Sequence, residues 1–124
     1  MKKHLLVIDD DEIQHFILKR MLFQLRPDLA MVSAMSAMEG KDLLETNTGL
    51  ILLDLHMPGM SGWDLLAYWK DMALTLPPLF IFSSSPDPHD MDLAEKNPLV
   101  SGYLMKPADA KLISYHILPF FPED

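Results

Sequence analysis

Two short apolar runs, each ending in carboxylates, constrain this chain most. The first is His4-Leu-Leu-Val-Ile-Asp9, followed by Asp10 and Asp11; the second is Gly49-Leu-Ile-Leu-Leu-Asp54. A strand with one wet face alternates apolar and polar residues. A run without alternation reads as a strand buried on both faces, as in a parallel sheet covered by helices. The rest of the chain supplies those helices. Ile13, Phe16, Ile17 and Met21 recur at helical spacing after the first strand, and Pro27 lies just past that helix. Ala30 to Met35 reads as strand two. Ser36 with Glu39 forms a capping-box start for a helix to about Thr46. After the Gly49–Asp54 strand, Ser61 and Asp64 open a helix through about Met72 by the same logic. Leu79 to Ser83 is strand four, and a loop with Pro86 and Pro88 leads to a short helix ending before Pro98. Gly102 to Met105 is strand five, and Asp109 to Leu118 is a last helix stopped by Pro119. This alternation predicts an α/β fold: one domain over residues 1–124, with a doubly wound five-stranded parallel sheet and helices on both faces.

In such sheets ligands bind beyond the carboxyl ends of the strands. The residues that matter are therefore those ending strands: Asp9, Asp10, Asp54, Ser83 and Lys106. Three are carboxylates, which repel one another if strands one and three are neighbours. A hard divalent cation such as Mg²⁺ (or Mn²⁺) relieves the repulsion, because it takes carboxylate and phosphate oxygens. Asp54 can then serve as ligand or as nucleophile, since an aspartate can carry a phosphoryl group. Lys106 can pair with one phosphoryl oxygen and the Ser83 hydroxyl can donate to another.

Bulk properties narrow the classes. A formal net charge of −8 opposes direct nucleic-acid binding. Without cysteine there is neither a disulfide nor a thiolate metal site, which fits a reducing compartment. The apolar runs are too short for membrane insertion or a signal peptide, so the protein is expected to be cytoplasmic. The ten methionines read as core filler.

Four pieces in order carry a resemblance over essentially the whole chain. They are Leu6-Val-Ile-Asp9-Asp10-Asp11, Asp54-Leu-His-Met-Pro58-Gly-Met-Ser-Gly62, Phe82-Ser83-Ser84, and Gly102-Tyr103-Leu-Met-Lys106-Pro107. Together they resemble the receiver domain of two-component response regulators. The resemblance implies a flavodoxin-like strand order, 2-1-3-4-5. It implies Asp54 as phosphoacceptor, with Asp9, Asp10 (a direct metal ligand), Asp54 and the His56 backbone carbonyl around Mg²⁺. It places Ser83 at the hydroxyl switch position, Lys106 at the family's lysine position and Tyr103 at a rotamer-switching aromatic. It also implies a cis bond before Pro107. The expected partner is a sensor histidine kinase or a histidine phosphotransfer protein. The chain would be a single-domain response regulator, not an enzyme beyond self-phosphorylation and self-dephosphorylation. Its output would be altered protein binding or onward phosphotransfer. The alternative is a phosphorylation-independent interaction module; a Mg²⁺-dependent phosphatase is disfavoured because no cap insertion is visible.

Isolated, Asp9-Asp10-Asp11 reads as a helix cap and a histidine beside acids as a metal ligand, but in this context the His56 side chain is expected at the pocket rim. Pro119-Phe120-Phe121-Pro122 predicts a rigid extended tail whose two rings point opposite ways. Either both rings fold back over apolar surface, or the outer one anchors a partner or a second copy.

Overall fold

The computed structural model describes residues 2–123. Strands β1 (His4–Ile8), β2 (Met31–Ala34), β3 (Thr48–Leu53), β4 (Leu79–Ser83) and β5 (Gly102–Met105) form one sheet. Its order is β2-β1-β3-β4-β5 and every pairing is parallel. Helices α1 (Glu12–Leu25), α2 (Ala37–Leu43), α3 (Gly62–Asp71) and α4 (Pro88–Lys96) alternate with them.

The unbroken apolar runs follow from burial on two faces. Successive side chains of a strand point to opposite sides. Leu6, Ile8, Ile51 and Leu53 therefore pack with Leu65, Leu66 and Trp69 of α3 and Ala94 of α4. Leu5, Val7, Leu50 and Leu52 pack on the other side with Leu18 and Leu22 of α1 and with Ile113 and Ile117 near the C-terminus. All the residues of β1 and β3 are buried. At about 1.5–3 kcal/mol per fully buried Leu or Ile, a one-residue slip of either strand exchanges two complete faces and is strongly opposed.

Several local expectations are corrected. The helix opened by Ser36 ends at Leu43 rather than near Thr46, because Leu44 is already extended. Its capping box is half made. Ser36 Oγ accepts from Glu39 N, but the Glu39 carboxylate accepts from Met35 N. The Ser61–Asp64 box is complete. Of the apolar residues at helical spacing in α1, Ile13 and Phe16 are about two-thirds exposed, at 67% and 64%, and Met21 packs against the core, while His15, Leu18 and Leu22 face the sheet. Nor are the methionines all core filler, since Met38, Met72, Met91 and Met105 are exposed.

The last helix is irregular. It starts as an α-turn, Ala110–Leu112, widens to a π-helical turn over Ile113–Ile117, and tightens to a 3₁₀ turn over Leu118–Phe120. The tail is consequently not the expected extended segment. Phe120 packs edge-on to Phe80, with ring centroids 5.5 Å apart. Phe121 is buried, against Gly49, where a β-carbon would press on its ring. Both rings fold back. Arg26 locks this arrangement: Nη1 donates to the Phe121 carbonyl at 2.7 Å, and Nε pairs with Glu123 at 3.2 Å and Asp28 at 3.3 Å.

Candidate phosphoacceptor site

Register brings the acids together. Ile8 pairs with Leu53 across β1 and β3, so the next residues, Asp9 and Asp54, leave the sheet side by side. Carboxylate oxygens of Asp9, Asp10 and Asp54 lie within 4.8 Å of one another. Asp9 and Asp54 are buried and Asp10 is exposed. The capping reading of this cluster holds for Asp11 alone, whose Oδ1 accepts from Ile13 N. Asp9 instead accepts from Asp11 N through Oδ1, at 2.9 Å.

Lys106 leaves the end of β5 and reaches across the cluster. Its Nζ is 2.6 Å from Asp9 Oδ2 and 3.7 Å from Asp54 Oδ1. One ammonium thus pairs with two of the three carboxylates. The imbalance shows at Asp54, whose carboxyl is pushed above its ordinary value. Desolvation is the main cause; Lys106 opposes it, and the charges of Asp9 and Asp10 add to it. Asp54 Oδ1 also accepts from Leu55 N at 3.0 Å. Its Oδ2 has no hydrogen bond from the described residues. Gly62 lets α3 close onto this strand end: it donates to the Leu55 carbonyl at 2.9 Å, and a β-carbon there would collide with the Asp54 carbonyl oxygen.

The remaining residues form a second layer. Ser83 is buried, and its Oγ accepts from Ser85 N at 3.1 Å, which leaves its own proton free. The Tyr103 hydroxyl donates to the Ser85 carbonyl at 2.8 Å. The Lys106–Pro107 bond is cis. The His56 side chain does sit at the rim, 64% exposed, with Nε2 3.1 Å from Asp90 Oδ2.

Three participants escaped the sequence reading. His15, buried on α1, has Nε2 at 2.7 Å from the Asp9 carbonyl, and its Nδ1 has no partner among the described residues. The Nε2–H tautomer therefore pins the turn that carries the acids. Its signal was available: a histidine amid the apolar spacing of Leu18 and Leu22. Ser85 and Asp90 gave no comparable signal, being ordinary polar residues in a proline-rich stretch.

The sequence from 5 to 117 matches the response regulator receiver domain family. The chain belongs to that family. Among relatives, the nitrate/nitrite response regulator protein NarL of Escherichia coli K12 is 35% identical over 104 residues. That alignment covers 82% of this chain and 47% of NarL, so the chain spans about half of that relative's length. A CheY-like receiver domain protein from Methanospirillum hungatei superposes with a TM-score of 0.77 at 28% identity, covering 98% of this chain and 95% of that one. A two-component response regulator from Cytophaga hutchinsonii gives 0.79 at 26% identity, over 92% and 93% of the two chains. The receiver fold is thereby shown. The acid trio fits a hard divalent cation: all donors are oxygens, they converge, and Lys106 leaves their charge uncompensated.

Among the described residues no helix is long and apolar enough to cross a membrane.

Proposed function

We propose that this receiver domain, residues 1–124, takes a phosphoryl group on Asp54 from a phosphohistidine in a Mg²⁺-dependent reaction. The observation that carries the reading is the state of Asp54. It is a buried carboxylate with one oxygen held by Leu55 N–H and faced by Lys106, and the other left unbonded at the mouth of the acid cluster. In the transfer, Asp54 Oδ2 attacks phosphorus, the donor's N–P bond breaks, and the O–P bond of an acyl phosphate forms. The departing imidazole keeps the N–P electron pair and takes up a proton. Asp9, Asp10, Asp54 and the His56 carbonyl would hold Mg²⁺ (or Mn²⁺), which neutralises charge on the transferring group. Lys106 supplies a second positive charge, and the free Ser83 proton is available to a phosphoryl oxygen once the group is in place.

The protein donor is a sensor histidine kinase or a histidine phosphotransfer protein. A surface for it stands next to the acids. Ile13, Phe16, Ile17 and Phe23 form an exposed apolar stripe on α1, which begins three residues after Asp9. An apolar patch of this kind on a charged surface suits a partner's helix. Ser83 and Tyr103 then report phosphorylation, and the output is altered protein binding or onward transfer. Incubation with Mg²⁺ and acetyl phosphate, followed by mass spectrometry, tests this reading. A single phosphoryl adduct on Asp54, absent without Mg²⁺ and in Asp54→Ala, is expected. An unmodified wild type would instead leave a phosphorylation-independent interaction module.

A further inference from the structure

The loop between β4 and α4 is bound at one residue, Ser85, through each of its polar groups. Ser85 N donates to Ser83 Oγ at 3.1 Å, and its carbonyl accepts from the Tyr103 hydroxyl at 2.8 Å. Its hydroxyl donates to Asp90 Oδ2 at 2.9 Å and accepts from Asp87 N at 3.3 Å. Asp90 lies in the first turn of α4 and is buried. The same oxygen, Oδ2, also meets His56 Nε2 at 3.1 Å. One buried oxygen therefore joins three segments: the loop two residues beyond Asp54, the loop two residues beyond Ser83, and α4.

The plain alternative is that Asp90 serves its own helix. An acid in the first turn is favourable there. That position's capping task is already filled, however: Asp87 is the N-cap, and its Oδ1 accepts from His89 N. The Asp90 bonds run instead to side chains outside α4. A carboxylate oxygen is a strong acceptor for both neighbours.

We propose that Asp90 is a positioning residue that transmits the phosphorylation state of Asp54 to α4, acting through Ser85 on Ser83. This rests on Asp54 being phosphorylated. When the Ser83 proton turns to a phosphoryl oxygen, any shift of Ser83 pulls on Ser85 N. Ser85 is tied to Asp90 by its hydroxyl, so the shift reaches the first turn of α4 rather than dissipating in a free loop.

The test uses the full chain with Mg²⁺ and acetyl phosphate, and two readouts: phosphorylation of Asp54 by mass spectrometry, and amide exchange over residues 88–96 with and without the donor. Wild type is expected to show a donor-dependent change in exchange in α4. Asp90→Ala is expected to be phosphorylated within about threefold of the wild-type rate while losing most of that change. Asp90→Asn, which keeps an acceptor for the Ser85 hydroxyl, is expected to recover much of it and guards against a misfolded alanine variant. In a Ser83→Ala background, Asp90→Ala should add nothing further, since both lie on one route. A full α4 response in Asp90→Ala, an additive effect of the two changes, or no recovery in Asp90→Asn would overturn the proposal while leaving Asp54 as acceptor. A wild type that takes no phosphoryl group would overturn both.

Discussion

Replacing Asp54 by Asn should stabilise the metal-free domain, and the site's geometry gives the size of the effect. With an effective dielectric constant of about 20, the Lys106 charge 3.7 Å from Asp54 contributes about 4.5 kcal/mol of attraction. Asp9, at no more than 4.8 Å, opposes with about 3.5 kcal/mol or more. Asp10 lies within the same distance but is exposed, so screening reduces its share to about 1 kcal/mol. Attraction and repulsion nearly cancel. What remains is the cost of holding a charged group out of water, the same term that leads in raising the Asp54 carboxyl. An amide of the same shape keeps the bond from Leu55 N–H and carries a smaller desolvation penalty, so the gain should be about 1–2 kcal/mol. For 124 residues at about 2.1 cal/mol/K each, that is roughly 4–8 °C in melting temperature. The assay is thermal melting in EDTA at pH 7.5, repeated with Mg²⁺. Magnesium should reverse the ranking by raising the wild type, by about 2.7 kcal/mol at a hundred times its dissociation constant, and should do little for the Asn variant. The pH dependence has a definite sign. Asp54 is raised in the folded state, so its protonation favours folding. Its contribution is complete below the ordinary carboxylate range and is lost as pH rises through the raised value. Metal-free wild type should accordingly lose stability relative to Asp54→Asn across that window. A variant that melts at or below the wild type in EDTA, with no such divergence, would refute the reasoning.

Lys106→Met should cost about 3–5 kcal/mol in EDTA by leaving Asp9 buried without its 2.6 Å partner, with part of the loss recovered by Mg²⁺ in the same melts. His15→Leu keeps the apolar bulk but frees the Asp9 carbonyl; Mg²⁺ affinity, read by titration, should fall severalfold with little change in melting temperature. Phe16→Glu should slow transfer from a phosphorylated histidine phosphotransfer protein by tenfold or more yet leave the acetyl phosphate rate unchanged, because the ring is 64% exposed and makes no part of the site. Phe121→Ala should destabilise by about 3–5 kcal/mol in chemical denaturation without altering Asp54 phosphorylation, since the ring is core and lies at the opposite end of β3.

The site was legible because its parts end strands. A doubly buried run such as Leu50–Leu53 has one plausible environment, and the first polar residue after it must leave the sheet at the ligand edge. Asp9 and Asp54 were placed by that rule, and Ser83 and Lys106 by standing at the ends of strands four and five. The rule says nothing of what side chains meet across loops. The contact between His56 and Asp90 spans 34 positions, and no local spacing announces it. Helix α1 misled for a different reason. It carries two apolar stripes, and the one with the larger residues, Ile13, Phe16 and Ile17, faces outward. The core accepts Leu18, Leu22 and the polar His15 because the Asp9 carbonyl gives that imidazole a partner. The tail was misjudged because two prolines suggested an extended strut. A widened helical turn bends it back, and Arg26 supplies an anchor no neighbouring residue reveals.

That anchor fixes more than the tail. Lys2, Lys3, Phe121 and Glu123 border one groove at the base of the sheet, at the start of the strands whose far ends carry the acids. The six residues of β3 separate the two ends by about 20 Å. A surface or dye attached through Lys2 or Glu123 is therefore moored on the side away from Asp54. Immobilised this way, the molecule presents its reactive pole to solution, and a phosphodonor can approach without competing with the tether.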